Sequence, residues 1–70
     1  MELSRVKYRL NKAVSYKGTE YRLTGCILRY DDKQQKFYYQ AELQDLKARS
    51  VLICKLDEVE ETKQEATDND

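Results

Sequence analysis

The sequence predicts an all-β domain of about five antiparallel strands closed by a short helical turn, on three observations. Apolar and polar residues alternate with a period of two along most of the chain. Turn-forming clusters, KGTE and DDKQQK, fall between the alternating runs. An apolar segment, SVLICKL, leads into LDEVEE, which reads as a single helical turn.

The first run, RVKYRL, sets Val6, Tyr8 and Leu10 against Arg5, Lys7 and Arg9, the pattern of a strand with one dry and one basic face. KAVSY starts a second strand around Val14, and Gly18 supplies the turn after it. YRLTGCILRY is long for a strand and carries Gly25 near its centre, where glycine marks a bulge or bend. A bend there resets the alternation, so that Tyr21 and Leu23 face the core before it and Cys26 and Leu28, or Ile27, after it. On that account Gly25→Val is expected to be poorly tolerated.

DDKQQK then forms a hairpin loop with Asp31 and Asp32 as turn residues, followed by the strand FYYQAELQ, the loop DLKAR and the strand SVLICKL. The alternative is an α+β domain with a helix near residues 38–49, because YQAELQDLKARS is rich in helix formers and spaces Tyr39, Leu43 and Leu46 along one helical face. The strand explains Phe37 and Ala41 as well, since both alternate in step with Tyr39 and Leu43. The expected core is Val14, Leu23, Ile27, Leu28, Phe37, Tyr39, Ala41, Leu43, Val51, Ile53 and Leu56. The unbroken apolar run of the last strand implies burial on both faces.

Seventy residues make one domain near the lower limit for a self-sustaining core. Residues 1–61 form that domain, and 62–70 read as a disordered acidic tail. The zero net charge conceals an asymmetry: Met1 to Leu56 carries 12 Lys/Arg against 6 Asp/Glu, a net of +6, and the rest carries 1 Lys against 7 acids, a net of −6. A basic body with an acidic end occurs in proteins that meet polyanions, and it also keeps a small domain soluble. No apolar run is long enough for a signal peptide core or a membrane span, so a cytoplasmic protein is expected, without membrane partners.

The chain has two cysteines, Cys26 and Cys54, and no histidine. Neither a CxxC pair nor a Cys/His set exists, so no metal or other cofactor is expected, and both cysteines sit in apolar runs as small hydrophobes. Nucleophilic and acid–base catalysis lack a poised pair: Asp31 and Asp32 are the only adjacent acids between Met1 and Leu56, and a hairpin tip does not desolvate them. The two glycines form no phosphate-binding loop. The protein is not expected to be an enzyme.

The long kinked strand, the hairpin, the apolar strand and the closing CKLDEVEE together resemble a small SH3-like β-barrel of the Tudor and KOW type, over about Lys12 to Glu61. The overall look is also similar to small proteins of bacterial phages and conjugative elements. The first resemblance implies a non-catalytic binding module. The second implies a module that occupies a host or element-encoded protein, as inhibitors of defence nucleases do. The chain has no Trp, which the aromatic cages of methyl-lysine readers and the grooves of peptide-binding SH3 domains employ, so those two activities do not carry over.

Two binding chemistries remain. A protein-interaction module would use an edge strand or a tyrosine patch, and a free edge serves equally for a homodimer. A nucleic-acid-binding barrel would set Arg5, Lys7, Arg9, Arg22 and Arg29 on outward strand faces with Tyr8 or Tyr30 interleaved for stacking. In KFYYQAEL the alternation assigns Phe37 and Tyr39 to the dry face and leaves Tyr38 on the wet one, where it joins the candidate contacts.

Overall fold

The computed structural model describes residues 1–47 and 49–62. In chain order these form helix α1 (Leu3–Arg9), strands β1 (Ala13–Tyr16), β2 (Thr19–Asp31), β3 (Lys36–Asp45) and β4 (Val51–Lys55), a 3-10 turn (Leu56–Glu58) and strand β5 (Val59–Glu61). The strands make one antiparallel sheet in the order β4-β3-β2-β1-β5, which is open, with β4 and β5 at its two ends. The tail expected at 62–70 lies outside the described residues, except Thr62.

RVKYRL is a helix, which corrects the strand expected there. Period two would dry Val6, Tyr8 and Leu10, whereas the helix places Val6 and Arg9 on one buried side and leaves Tyr8 and Leu10 exposed. Seven residues are too few to hold a helix by themselves, so docking must hold it. The Met1 ammonium donates to the carbonyls of Leu56 (3.0 Å) and Val59 (2.7 Å). Arg5 Nε and Nη2 donate to the two carboxylate oxygens of Glu61 at 2.9 and 3.1 Å. Arg9, which is buried, donates from Nη2 to Ala13 O at 2.8 Å, with its Nε 3.7 Å from Glu61 Oε1.

β1 and β2 are joined through Lys17 and Gly18, whose φ values of +51° and +80° are the left-handed pair that a two-residue type I′ hairpin needs. In β2 the register with β3 skips from Leu23↔Leu43 to Gly25↔Glu42, so Thr24 is the extra residue of a bulge. Its Oγ1 lies within donating distance of Glu42 O (3.1 Å) and Oε2 (3.0 Å). The bulge resets the alternation as the sequence implied: Tyr21 and Leu23 precede it on the core face, and Cys26, Leu28 and Tyr30 follow it there. Gly25 itself has no left-handed φ, and a Cβ built on it would sit 3.6 Å from Glu42 Cβ, an ordinary contact.

β3 is ladder-paired with β2 along its whole length and with β4 over Gln40–Gln44, which overturns the helix near 38–49 for residues 38–45. After it, Asp45 Oδ1 accepts from Lys47 N (2.7 Å), while Arg49 N donates to Asp45 O (3.2 Å), ending the strand in a turn. The core is Val6, Val14, Leu23, Ala41, Leu43, Cys54, Leu56 and Val59. Five of the expected core residues, Leu28, Phe37, Tyr39, Val51 and Ile53, are exposed, and Ile27 is half-buried. In β4 only the Leu52 and Cys54 face packs inward, so burial on both sides of that strand does not occur. Cys26 and Cys54 flank Ala41 from opposite sides, about two strand spacings or ~10 Å apart, which is beyond disulfide reach.

Candidate interaction ribbon

The length mismatch between the strands creates the most distinctive surface. β4 pairs only with Gln40–Gln44 of β3, and β1 pairs only with Thr19–Arg22 of β2. Leu28–Asp31 and Lys36–Tyr39 are therefore paired with each other alone, as a two-stranded ribbon that overhangs the core. At its tip Asp31 Oδ1 accepts from Lys33 N (2.9 Å) and Gln34 N (3.2 Å), and Gln35 adopts a φ of +54° to close the loop.

Cross-strand pairs place Leu28 with Tyr39 and Tyr30 with Phe37 on the ribbon face that continues the core face, beyond Cys26 and Ala41. These four are 54%, 36%, 49% and 65% exposed, in the order given. Tyr30 and Phe37 meet edge to face with ring centroids 4.9 Å apart. About half of four large side chains of ~200 Å² each leaves roughly 400 Å² of apolar surface in water, the size of a functional patch on a small protein. The opposite face carries the pairs Arg29 with Tyr38 and Asp31 with Lys36.

Two depressions meet at the root of the ribbon. One of ≈420 Å³ is lined by Met1, Glu2, Leu3, Tyr39, Leu56 and Asp57. The other, of ≈210 Å³, is lined by Asp31, Gln34, Lys36, Tyr38, Tyr39, Lys55 and Asp57, beside the part of β3 that β4 does not cover. Tyr39 and Asp57 line both, so an aromatic ring and a carboxylate stand where the two depressions adjoin.

The eight residues expected to make contacts fall in three places. Arg5, Lys7, Tyr8 and Arg9 lie on α1. There Arg5 and Arg9 turn to Glu61, and Tyr8 lies under two cations, Arg5 Cζ at 5.2 Å and Lys7 Nζ at 5.1 Å from its centroid. The hydrogen bond and charge of Glu61 raise the Arg5 pKa, and Arg5 in turn holds the Glu61 carboxyl below its usual range. Arg22, on the outer face of β2, donates to Gln44 Oε1 at 2.8 Å. Arg29, Tyr30 and Tyr38 lie on the ribbon, with Tyr30 on the face opposite to the other two.

The sequence reading missed Leu28, Phe37 and Tyr39 as surface residues. The signal was present in strand lengths: YRLTGCILRY and KFYYQAEL, ten and eight residues, outrun KAVSY and SVLICK, five and six, so their far ends have no neighbouring strand. Burial raises the thiol pKa of Cys26 and Cys54. Among the described residues, no group of three or more His, Cys, Asp or Glu is placed to hold a metal ion, and no helix is long and apolar enough to cross a membrane. Comparison with family models, curated proteins and solved structures finds no match to this chain.

Proposed function

We propose that the chain is a small non-catalytic binding module of the SH3-like kind, which acts in the cytoplasm and holds a protein partner on the overhanging ribbon. The observation that carries this reading is the exposed face of Leu28, Tyr30, Phe37 and Tyr39, continuous with the core face but extending past it. Aromatic side chains of this kind anchor protein interfaces because they bury much area at low entropic cost. The SH3-like reading is supported by the meander order, by the pairing of β1 with β5, and by the 3-10 turn between β4 and β5. The resemblance to small phage and conjugative-element proteins suggests a host or element-encoded protein as the partner.

Nucleic-acid binding is the second reading, and the favourable observation is the set Arg29, Lys33 and Lys36 beside the ribbon aromatics. It has less behind it, because Asp31 and Asp32 share that ribbon and Glu61 engages Arg5 and Arg9. The test is capture from a native lysate by the wild-type chain and by a Tyr30→Ser, Phe37→Ser variant that stays folded at the temperature of the assay. One stoichiometric protein held by the wild type and lost by the variant supports the protein reading. Amide shifts on Arg29, Lys33 and Lys36 with short single-stranded oligonucleotides, vanishing as salt rises, replace it with the second.

A further inference from the structure

Among the described residues, the longest unpaired strand edge belongs to β2. Its ladder with β1 ends at Arg22, and Asn11 and Lys12 extend the cover by one residue, with Asn11 N donating to Leu23 O (2.6 Å) and Leu23 N to Lys12 O (3.0 Å). From Gly25 to Asp31 that side of the strand has no backbone partner among the described residues, although the ladder with β3 runs there without a break. By comparison, β4 offers an edge of five residues and β5 one of three, two of them glutamates. Alternate residues from Gly25 to Asp31 turn both N–H and C=O outward, and another extended backbone is the group that pairs them in sequence.

The side chains along this edge define what an added strand must carry. Cys26, Leu28 and Tyr30 lie on the face of the ribbon patch, and Ile27, Arg29 and Asp31 on the other. Arg29 is exposed and makes no hydrogen bond or ion pair among the described residues, while Asp31 turns its Oδ1 to the loop amides of Lys33 and Gln34. We propose that the partner protein adds an extended segment antiparallel to Gly25–Asp31, with apolar residues opposite Cys26, Leu28 and Tyr30 and a carboxylate opposite Arg29. This mode of pairing presupposes that the ribbon holds a protein, and it defines how that protein is recognised.

Two other strands lack this chemistry. A second copy, antiparallel about Leu28, pairs the whole edge but sets Arg29 against Ile27. The register that sets Arg29 against Asp31 is centred on Tyr30, pairs only Arg29–Asp31 within the strand and drives Leu28 against Asp32. Residues 63–70, KQEATDND, carry one apolar side chain, Ala66, where the row of Cys26, Leu28 and Tyr30 calls for three.

A suitable probe is the capped peptide KVEITVT, which in antiparallel register sets its valine, isoleucine and valine opposite Tyr30, Leu28 and Cys26, and its glutamate opposite Arg29. Titrated to about 1 mM against the isotope-labelled full chain, it should shift the amides of Gly25–Asp31 and leave those of Val51–Lys55 in place, with a Kd on the order of 0.1 mM, because so short a contact buries less than the ~1,200 Å² of a stable interface. The peptide KVKITVT should bind about fivefold more weakly, and Arg29→Glu should reverse that order. N-methylation of alternate peptide residues should abolish binding in the phase that turns to β2 and spare it in the other.

The strand addition is overturned by an absence of shifts, by shifts away from the β2 edge, by a peptide order that Arg29→Glu does not reverse, or by equal loss in both phases. It is overturned too if the amides of residues 25–31 move on dilution of the chain alone, which gives the edge to a second copy, or on removal of residues 63–70, which gives it to that segment. A lysate that yields no protein overturns the ribbon reading while the peptide result stands. A captured protein that leaves the amides of Gly25–Asp31 unmoved overturns the strand addition alone.

Discussion

The two halves of the β2–β3 hairpin share one face across the Thr24 bulge, yet they end in opposite environments. In the inner half Leu23 faces Leu43 and both are fully buried, in the core cluster that also holds Val6, Val14 and Leu56. In the outer half Tyr30 faces Phe37 with the same geometry, and both stand in water. Alternation sorts side chains onto faces, but only a neighbouring element makes a face dry. The difference lies in β4 and β1, whose ladders end opposite Gln40 and Arg22 and leave the ribbon uncovered.

The comparison is broken most severely from the inner half. Leu43→Ala should cost about 2–5 kcal/mol in urea denaturation, a large share of the stability of so small a domain. Arg9→Ala comes next, with a loss of about 1–3 kcal/mol, because a buried guanidinium that bonds Ala13 O and neighbours Glu61 is removed from beneath α1. Phe37→Ala, on the same face as Leu43 but outside the core, should cost only about 0.5–1 kcal/mol through its edge-to-face contact with Tyr30. A loss as large as that of Leu43→Ala would mean that the outer half is core after all.

Smaller effects sharpen the same picture. Glu61 has its folded pKa lowered from an ordinary value near 4.5, first by the hydrogen bond from Arg5, so its contribution is complete above 4.5 and is lost as pH falls below it. A melting series from neutral pH to pH 3 should therefore show a flatter acid limb for Glu61→Gln than for the wild type, and the gap should be small, because the pair is exposed. Gly25→Ala should leave the melting temperature nearly unchanged, because the bulge is made by Thr24 and the added Cβ finds room beside Glu42. A drop of several degrees would show that the bend depends on glycine.

Much of the sheet was legible because period two, Gly18, Asp31 and the glycine-marked reset in β2 are local signals. RVKYRL was misread because a seven-residue segment satisfies period two and a one-sided helix alike, and what selected the helix was distant in sequence: Glu61, Leu56 and Val59. The ribbon residues Tyr30 and Tyr38 were named from the sequence, whereas Leu28, Phe37 and Tyr39 were taken for core, since hydrophobicity does not distinguish a wall from an overhang.

Sequence by itself determined which residues of the β2–β3 hairpin and of β4 share a face, where the chain turns between strands, and that Cys26 and Cys54 have no histidine to join them in a metal site. Each of these depends on neighbours along the chain or on residue types alone. The tertiary structure decided which faces are covered, that Arg5 and Arg9 turn to Glu61, and that β4 ends the sheet with an apolar outer edge. Those outcomes depend on how far each strand reaches beside its neighbour, and relative reach is a property of the assembled sheet.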